Sequence, residues 1–332
     1  MLASPSDADK WSWPELSREE ATKTIATINY SSGTTGLPKG VCISHANLIA
    51  NVEQGIHTRY SSKQLQQGQN LPHENWVAFL PLYHAFGQMF TILMATRLHN
   101  TVYVMPQFNY EEFLHTIQKY KIDSLHVAPP IIVMLCKRPE TKKYDLSSLK
   151  TILCGAAPLK PELQNECQRR FGVLIRQGWG MTEVTCGGSQ IPEGTSDSTG
   201  GVGYFHPNCE VKLLDEEGKE VGVGEPGELL IKGPNVCLGY WRNEEATRNT
   251  FDEDGFLKTG DVAVYDKEGK FWIVDRKKVC IHPETVLYKK SKANNVQELI
   301  KVNGLQVAPA ELEAVLLEND NVADAACVGI DM

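Results

Sequence analysis

Long apolar runs, basic blocks and paired cysteines are all missing from this sequence. The longest apolar stretch, Val127 to Cys136, has about ten residues and two prolines, against the roughly 20 that cross a bilayer, so no membrane span is expected. Basic side chains number 33 and acidic ones 41, for a net charge of −8. Neither "KKYDLSSLK" nor "YKKSK" makes a basic patch of any size, which argues against nucleic acid as a partner. Nine cysteines are scattered without a C-x-x-C pair or a histidine at zinc spacing. That excludes a zinc ribbon and points to free thiols in a reducing compartment. The opening "MLASPSDADKWSWPE" has neither a basic n-region nor an apolar h-region, so it does not read as a secretory signal. Repeats and low-complexity tracts are absent as well.

What the sequence does have is a globular composition, 42% hydrophobic and 22% charged over 332 residues, enough for two domains or one large one with a satellite. Between about residues 25 and 190, short β-branched runs ("TIATINY", "WVAFL", "TVYVM", "DSLHVA", "TILCG") alternate with helical patterns. The clearest helix is "NYEEFLHTIQKYK", with Tyr110, Phe113, Leu114, Ile117 and Tyr120 on one face. The alternation predicts an α/β fold, a mostly parallel sheet with helices on both faces. After "GTSDSTGGVGYFHPN" the texture becomes short runs separated by turns, which predicts a small antiparallel β subdomain closing at "KFWIVD". A last helix is expected at "APAELEAVLLEN".

Five segments carry chemistry. The loop "YSSGTTGLPKG" has the hydroxyls Ser31, Ser32, Thr34 and Thr35, glycines including Gly33 and Gly36, and Lys39. It reads as a phosphate nest or as a flexible turn. It is no Walker loop, because Gly40 stands where Ser or Thr should follow the lysine. In "PLYHAFG", after a strand, His84 is either a site residue or a packed histidine. Phe86, Gly87 and Phe90 suggest an apolar pocket. "GAAP" ends another strand with small residues that let a flat group approach. "RQGWGMTE" offers Trp179 between Gly178 and Gly180 as an exposed ring face, with Thr182 and Glu183 as oxygens, the latter suited to Mg²⁺ beside substrate phosphates. "FLKTGD" and "VDRKK" bring Asp261 and Arg276, a carboxylate for ribose hydroxyls with a guanidinium.

In this order, "YSSGTTGLPKG", "PLYHAFG", "QGWGMTE", "LKTGD" and the split pair "VDRKK" with "ELIKVNGLQVAPAELEAVL" resemble the signature motifs of adenylate-forming enzymes, nearest to the 4-coumarate–CoA ligase-like acyl-CoA synthetases. The resemblance runs from about Ala26 to Ile330. It implies a partial AMP-binding α/β region over residues 1–200, a β subdomain over 201–275, and a hinge with the start of a C-terminal lid domain over 276–332. It further implies ATP, Mg²⁺ and coenzyme A, and a small carboxylic acid as substrate. Carried over residue by residue, Ser31 to Lys39 would hold the triphosphate, Trp179 would stack on adenine, Thr182 would touch phosphate and Glu183 would hold magnesium. Asp261 would bind ribose with Arg276 beside it. His84, Phe86, Ala156, Gln177 and Gly178 would border the acid or the adenylate. Lys278 and Lys301 would line the hinge, and Asn303, Gly304 and Gln306 the incoming thiol. The implied reaction is acyl-adenylate formation followed by thioester formation. The alternatives are a carrier-protein adenylation domain and a nucleotide-binding remnant without turnover.

Against the family pattern the chain reads as truncated at both ends, with the large N-terminal stretch and the C-terminal catalytic lysine motif missing. "MPQF" puts Gln107 where plant ligases carry a lysine that meets coenzyme A. Between Lys278 and Glu298 stand 19 extra residues, Val279 to Gln297, or 57 nucleotides at three per codon. Val-Cys can be encoded GTATGT and the final Gln CAG, the marks of a splice donor and acceptor. The segment therefore reads as a retained intron, polar and inessential. Cytoplasmic and peroxisomal locations are both compatible with these features, and no protein partner is legible.

Overall fold

The computed structural model describes residues 10–12, 14–31, 39–60, 71–276, 300–302 and 305–307. They fall into two compact units, one reaching as far as Arg276 and the other holding the last two segments. In the first, a short helix Arg18–Lys23 carries a complete capping box: Ser17 and Glu20 satisfy each other's backbone N–H groups. Strand β1 (Ile25–Ser31) then pairs antiparallel with β2 (Lys39–Ser44), placing Ser31 opposite Lys39. This corrects the expectation that "TIATINY" joins the parallel sheet. Only seven residues separate Ser31 from Lys39, and a parallel pair needs a crossover of a dozen or more.

After the helix His45–Tyr60 come β3 (Asn75–Ala78), β4 (Thr101–Val104), β5 (Ser124–Val127), β6 (Thr151–Cys154), β7 (Leu174–Gly180), β8 (Gly187–Gln190) and β9 (Tyr204–Phe205). They form one sheet in the order β4-β3-β5-β6-β7-β8-β9. The pairs from β4 through β7 are parallel and the last two antiparallel. The fold is thus the α/β arrangement expected. Helices Tyr110–Tyr120, Pro129–Lys137 and Pro161–Phe171 make the crossovers. The first starts where expected because Asn109 accepts from Glu112 N at 3.0 Å, and its buried stripe is Tyr110, Phe113, Leu114 and Ile117. The others have proline in the first turn, where the missing N–H costs nothing.

Between β3 and β4 runs a helical segment with an irregular middle: Ala85–Gly87, a π-helical Gln88–Met94, then Ala95–Arg97. Beyond β9, strands β10 (Glu210–Leu214), β11 (Gly227–Lys232), β13 (Leu257–Tyr265) and β14 (Phe271–Arg276) form the antiparallel sheet, in that order. One strand from this region, β12 (Gly239–Tyr240), leaves it and pairs with β2, placing Tyr240 opposite Val41. In the second unit β15 (Ile300–Val302) and β16 (Leu305–Val307) form a hairpin with Lys301 opposite Gln306.

The expected helix "APAELEAVLLEN" and the 279–297 segment lie outside the described residues. Seven cysteines lie within them, and all seven are free. No helix among these residues is long and apolar enough to cross a membrane.

Candidate functional site

Parallel strands present ligands at their C-terminal ends, and the motif residues collect there. At the end of β7 the chain turns into a single 3₁₀ turn, Thr182–Val184, which buries Glu183 at 5% exposure. Its Oε1 accepts twice, from Ser31 Oγ at 3.0 Å and from Tyr240 OH at 3.0 Å. Lys39 Nζ stands 5.0 Å from the centroid of the Tyr240 ring. Burial, then the Glu183 carboxylate beside it, pushes the Tyr240 phenol above its usual range. Tyr240 therefore stays a donor at neutral pH. β1, β2, β12 and the turn after β7 thus meet at one carboxylate, with one lysine near.

The second half of the site lies one turn back along β7. Trp179 Nε1 donates to Asp261 Oδ2 at 2.8 Å, and Arg276 Nε stands 3.3 Å from Asp261 Oδ1. The β13–β14 register makes this possible, because Asp261 and Arg276 are direct partners. Burial raises the Asp261 carboxyl, Glu183 adds to the rise through space, and Trp179 and Arg276 oppose it. The two groups hang from one stretch of chain, since Trp179 stands at the end of β7 and Glu183 lies in the turn that follows it.

Trp179 departs from expectation. Its ring is 7% exposed rather than open, with one side on Gly188, where any side chain would overlap the ring, and Phe205 edge-on at 5.7 Å. A tryptophan on an inward register position packs like any large apolar residue, and its N–H needs a buried acceptor, which Asp261 supplies.

The third cluster is apolar. Phe86 is 8% exposed and sits at the ends of β6 and β7: a side-chain carbon at Gly155 would stand 3.6 Å from its Cζ. At Gly178 no side chain fits, since its first carbon would come within 2.8 Å of Ser189 O. Phe90 meets Phe86 edge-on at 5.1 Å. Ala156, just after β6, is exposed and takes a left-handed φ of 71°. That conformation is rare for a residue with a side chain and is typical of strained site loops.

Other expected residues are placed differently. His84 is not packed, and it meets these groups through the backbone of Phe86. It is exposed, and its Nδ1 caps the next turn by accepting from Phe86 N at 3.2 Å. Gln177 is buried and committed to the fold: Nε2 donates to Leu159 O and Gln164 Oε1, and Oε1 accepts from Leu159 N. It fixes the loop before the Pro161–Phe171 helix, with both amide hydrogens used and one lone pair of Oε1 left over. Thr182 opens the 3₁₀ turn. Ser32, Gly33, Thr34, Thr35, Gly36, Lys278, Asn303 and Gly304 lie outside the described residues. Tyr240 was not anticipated. Its segment "CLGYW" looks like an ordinary turn, and the only local signal is the glycine before it, which takes φ 129°.

The donor set fits the groups the motifs imply. One buried carboxylate held by two hydroxyls, with a lysine over the ring of one of them, suits a magnesium–phosphate pair in which substrate oxygens supply most ligands. No group of three or more His, Cys, Asp or Glu able to hold a metal by themselves exists among the described residues.

Comparison with known proteins agrees. The family model for AMP-binding enzymes matches residues 2–241. "Probable 4-coumarate--CoA ligase 3" of Dictyostelium discoideum is 41% identical over 94% of this chain and 52% of its own length. Acyl-CoA synthetase 7 of Caenorhabditis elegans is 39% identical over 92% and 53%, and the luciferin 4-monooxygenase of Photinus pyralis 38% over 93% and 52%. The chain thus spans about half the length of the curated relatives it matches. Among solved structures, ATP-bound MatB of Rhodopseudomonas palustris superposes with a TM-score of 0.70 at 27% identity, over 91% of this chain and 54% of that one. MenE of Bacillus subtilis with an acyl-adenylate intermediate gives 0.69 at 26%, over 98% and 61%. With motifs, fold and relatives in accord, this chain belongs to the AMP-binding enzyme family.

Proposed function

We propose that this chain supplies the nucleotide- and acid-binding core of an enzyme that activates a carboxylic acid with ATP and passes the acyl group to coenzyme A. The observation that carries the reading is the meeting of Ser31 and Tyr240 at the Glu183 carboxylate, with Lys39 over the Tyr240 ring and the Trp179–Asp261–Arg276 group on the adjoining end of β7. A carboxylate is a poor acyl donor. Attack of its oxygen on the α-phosphorus of ATP forms a P–O bond, breaks the bond to pyrophosphate and leaves an acyl-adenylate. A thiol then attacks the carbonyl carbon, and AMP departs with the electron pair.

The main burden in both steps is charge on phosphate oxygens, which fixed donors stabilise without reorganising. Lys39 brings a positive charge to the triphosphate, and the loop from Ser31 brings hydroxyls and N–H groups. Glu183, held on one oxygen by Ser31 and Tyr240, presents its carboxylate to magnesium, which when bound would neutralise phosphate charge. Asp261, oriented by the Trp179 N–H and by Arg276, accepts from ribose hydroxyls. Trp179 shapes the adenine side from within the wall. The thiol half rests on the names of relatives. A luciferin 4-monooxygenase is almost as similar, at 38% identity against 41% for a probable 4-coumarate–CoA ligase.

Calorimetry on the purified chain tests this with AMP, ATP–magnesium and an acyl-sulfamoyl adenosine. The acyl analogue should bind at least about tenfold more tightly than AMP, because it fills both halves of the site. Lys39→Ala should weaken ATP by about 1.5–3 kcal/mol, one to two decades, and AMP far less. No binding of any adenylate, or equal losses for AMP and ATP, would overturn the assignment.

A further inference from the structure

The apolar cluster continues inward past Phe86 and Phe90 to His126 and Trp76. Phe90 meets Phe86 on one side, and on the other its ring stacks on the imidazole of His126, with centroids 4.4 Å apart and 28° between planes. His126 in turn meets Trp76 edge-on at 4.4 Å. These four rings form a row running from Gly155, at the strand ends, to the middle of the sheet.

Beside the row is a small cavity lined by Trp76, Val77, Ala78, Leu80, Phe90, Thr91, Val102 and His126, with room of about 10 Å³, near the minimum for one water. His126 is 6% exposed, and its Nε2 has no hydrogen-bond partner among the described residues. A buried, unpaired ring nitrogen costs free energy and calls for a partner, a water or a ligand group in the space beside it. Burial, with Arg59 and Arg176 near, holds this imidazole neutral far below its ordinary pKa. Phe90 itself stands on the π-helical stretch Gln88–Met94, a distortion that recurs at functional sites because it re-aims side chains. The same stretch is tied down from outside, since Asn29 Nδ2 of β1 donates to Gln88 Oε1 at 2.9 Å.

We infer that Phe90, backed by His126, is the inner wall of the acid-binding cleft: it limits the site to short or compact acids. Replacing it with a smaller side chain would admit longer tails whose far end can hydrogen-bond His126 Nε2. The inference rests on the acid site proposed above. The orientation follows from the row itself: Gly155 and Gly178 mark the end nearest the nucleotide groups on β7, and His126 marks the far end. A neutral imidazole can accept from a hydroxyl or donate to a carbonyl, according to its tautomer, but offers nothing to a methyl end. A tail ending in a polar group would therefore gain over its alkyl counterpart once the ring is gone.

The experiment measures binding of acyl-sulfamoyl adenosines with straight tails of about four to about twelve carbons, each with and without a terminal hydroxyl. The proteins are the wild-type chain, Phe90→Ala and the double variant Phe90→Ala/His126→Phe. AMP binding normalises each variant, and Phe90→Leu repeats the series should the alanine variant fail to fold. Each methylene that enters an apolar site is worth about fourfold in affinity. Wild-type affinity should stop rising at a short tail. Phe90→Ala should extend the rise by two or more methylenes, about tenfold or better for the longer tails. In that variant the hydroxyl-ended tails should gain about fivefold, and the gain should vanish in the double variant. A length optimum unmoved by Phe90→Ala, or a hydroxyl preference that survives His126→Phe, overturns the inference while leaving the acid site standing. Acyl analogues that bind no better than AMP to every protein overturn the acid site, and the inference with it.

Discussion

The two faces of the parallel sheet are built to different rules. On one, Val77, Leu125, Val127, Ile152, Cys154 and Ile175 pack beneath the three crossover helices in a single apolar cluster. On the other, the alternate positions include Trp76, Ser124, His126, Thr151 and Arg176 beside the apolar Ala78 and Leu153, and the polar ones meet buried charge. Arg59, on the helix His45–Tyr60, is 2% exposed and pairs with Glu74 at 2.7 Å and Glu193 at 2.6 Å. Trp76 Nε1 and Tyr60 OH also donate to Glu74. Arg176 bonds to Thr151 Oγ1 and Ile191 O, and burial with Arg59 nearby pushes it down to about 10. One face is held by packing, where any well-fitting hydrocarbon serves. The other is held by complementarity, where each charge is tolerable only while its partners remain. The row containing Phe90 and His126 lies on the second face, as do the elements that carry Phe86.

The sharpest way to break this comparison is to remove one residue from each face. Arg59→Ala would leave Glu74 and Glu193 buried without their cation, and it should destabilise the chain by about 3–5 kcal/mol. Leu125→Ala, at a position with 0% exposure, should cost about 2–5 kcal/mol through lost burial and the cavity left behind. Size alone does not separate the two, so the test is rescue. Adding Glu74→Gln to Arg59→Ala should recover part of the loss by discharging the orphaned carboxylate, whereas the same change in the Leu125 variant should add its own cost. Denaturant midpoints give both numbers. Additive losses in both backgrounds would erase the distinction between the faces.

An effect of comparable size, spread over several pH units, should appear on acidification. His206, bonded through Nδ1 to Thr58 Oγ1 at 2.9 Å, is pushed by burial down to about 4, and His126 well below its ordinary 6.5. Both are neutral when folded and protonate readily when unfolded. Their contribution is thus complete above pH 6.5 and is lost as pH falls from there toward 4, at about 1.4 kcal/mol per pH unit for each. Burial raises Asp123 and Asp261 and gives them the opposite sign. Melting curves at pH 7, 6 and 5 should show the decline, and His206→Gln should reduce its slope by close to half. A flat profile over this range would mean that neither imidazole is held neutral.

Much of this architecture is legible in the sequence, in proportion to how local its cause is. The helix Tyr110–Tyr120 reads correctly because its stripe and its Asn109 cap lie within a dozen residues. The parallel strands read correctly because β-branched runs alternate with helices. Even the polar face leaves a trace, in the alternation of "SLHV" and "LIRQ", though only the register of four strands turns those residues into one surface. β1 was misplaced because a strand's own residues do not say which neighbour it pairs with; the seven-residue connection to β2 does.

Among the site residues, Glu183, Ser31, Lys39 and Asp261 with Arg276 stand out as chemistry-bearing types in unusual company. Trp179 and Gln177 stand in the same motif yet are buried, because β7 is covered on both faces, Arg176 on one as fully as Gln177 on the other, and a motif carries no burial. His84 illustrates the reverse, a histidine in a marked motif whose ring nitrogen serves the next turn. Tyr240 was invisible because its contact with Glu183 spans 57 residues and depends on β12 leaving the sheet its neighbours join.

That strand supplies the finest test of how the site is held. Tyr240 does two things: its hydroxyl donates to Glu183 Oε1, and its ring lies under Lys39. Tyr240→Phe keeps the ring, its packing and the lysine contact, and removes only the hydroxyl. Ser31 Oγ remains as the second donor to the same oxygen, so the carboxylate is loosened and not orphaned, and the change in stability should stay within about 1 kcal/mol. In the reading proposed above, a carboxylate less firmly aimed holds magnesium–ATP less well, by about threefold to tenfold, while AMP binding should hardly move. A loss of stability as large as that of Arg59→Ala would instead make Tyr240 part of the charged interior, and an equal effect on AMP and ATP would remove Glu183 from the phosphate side of the site.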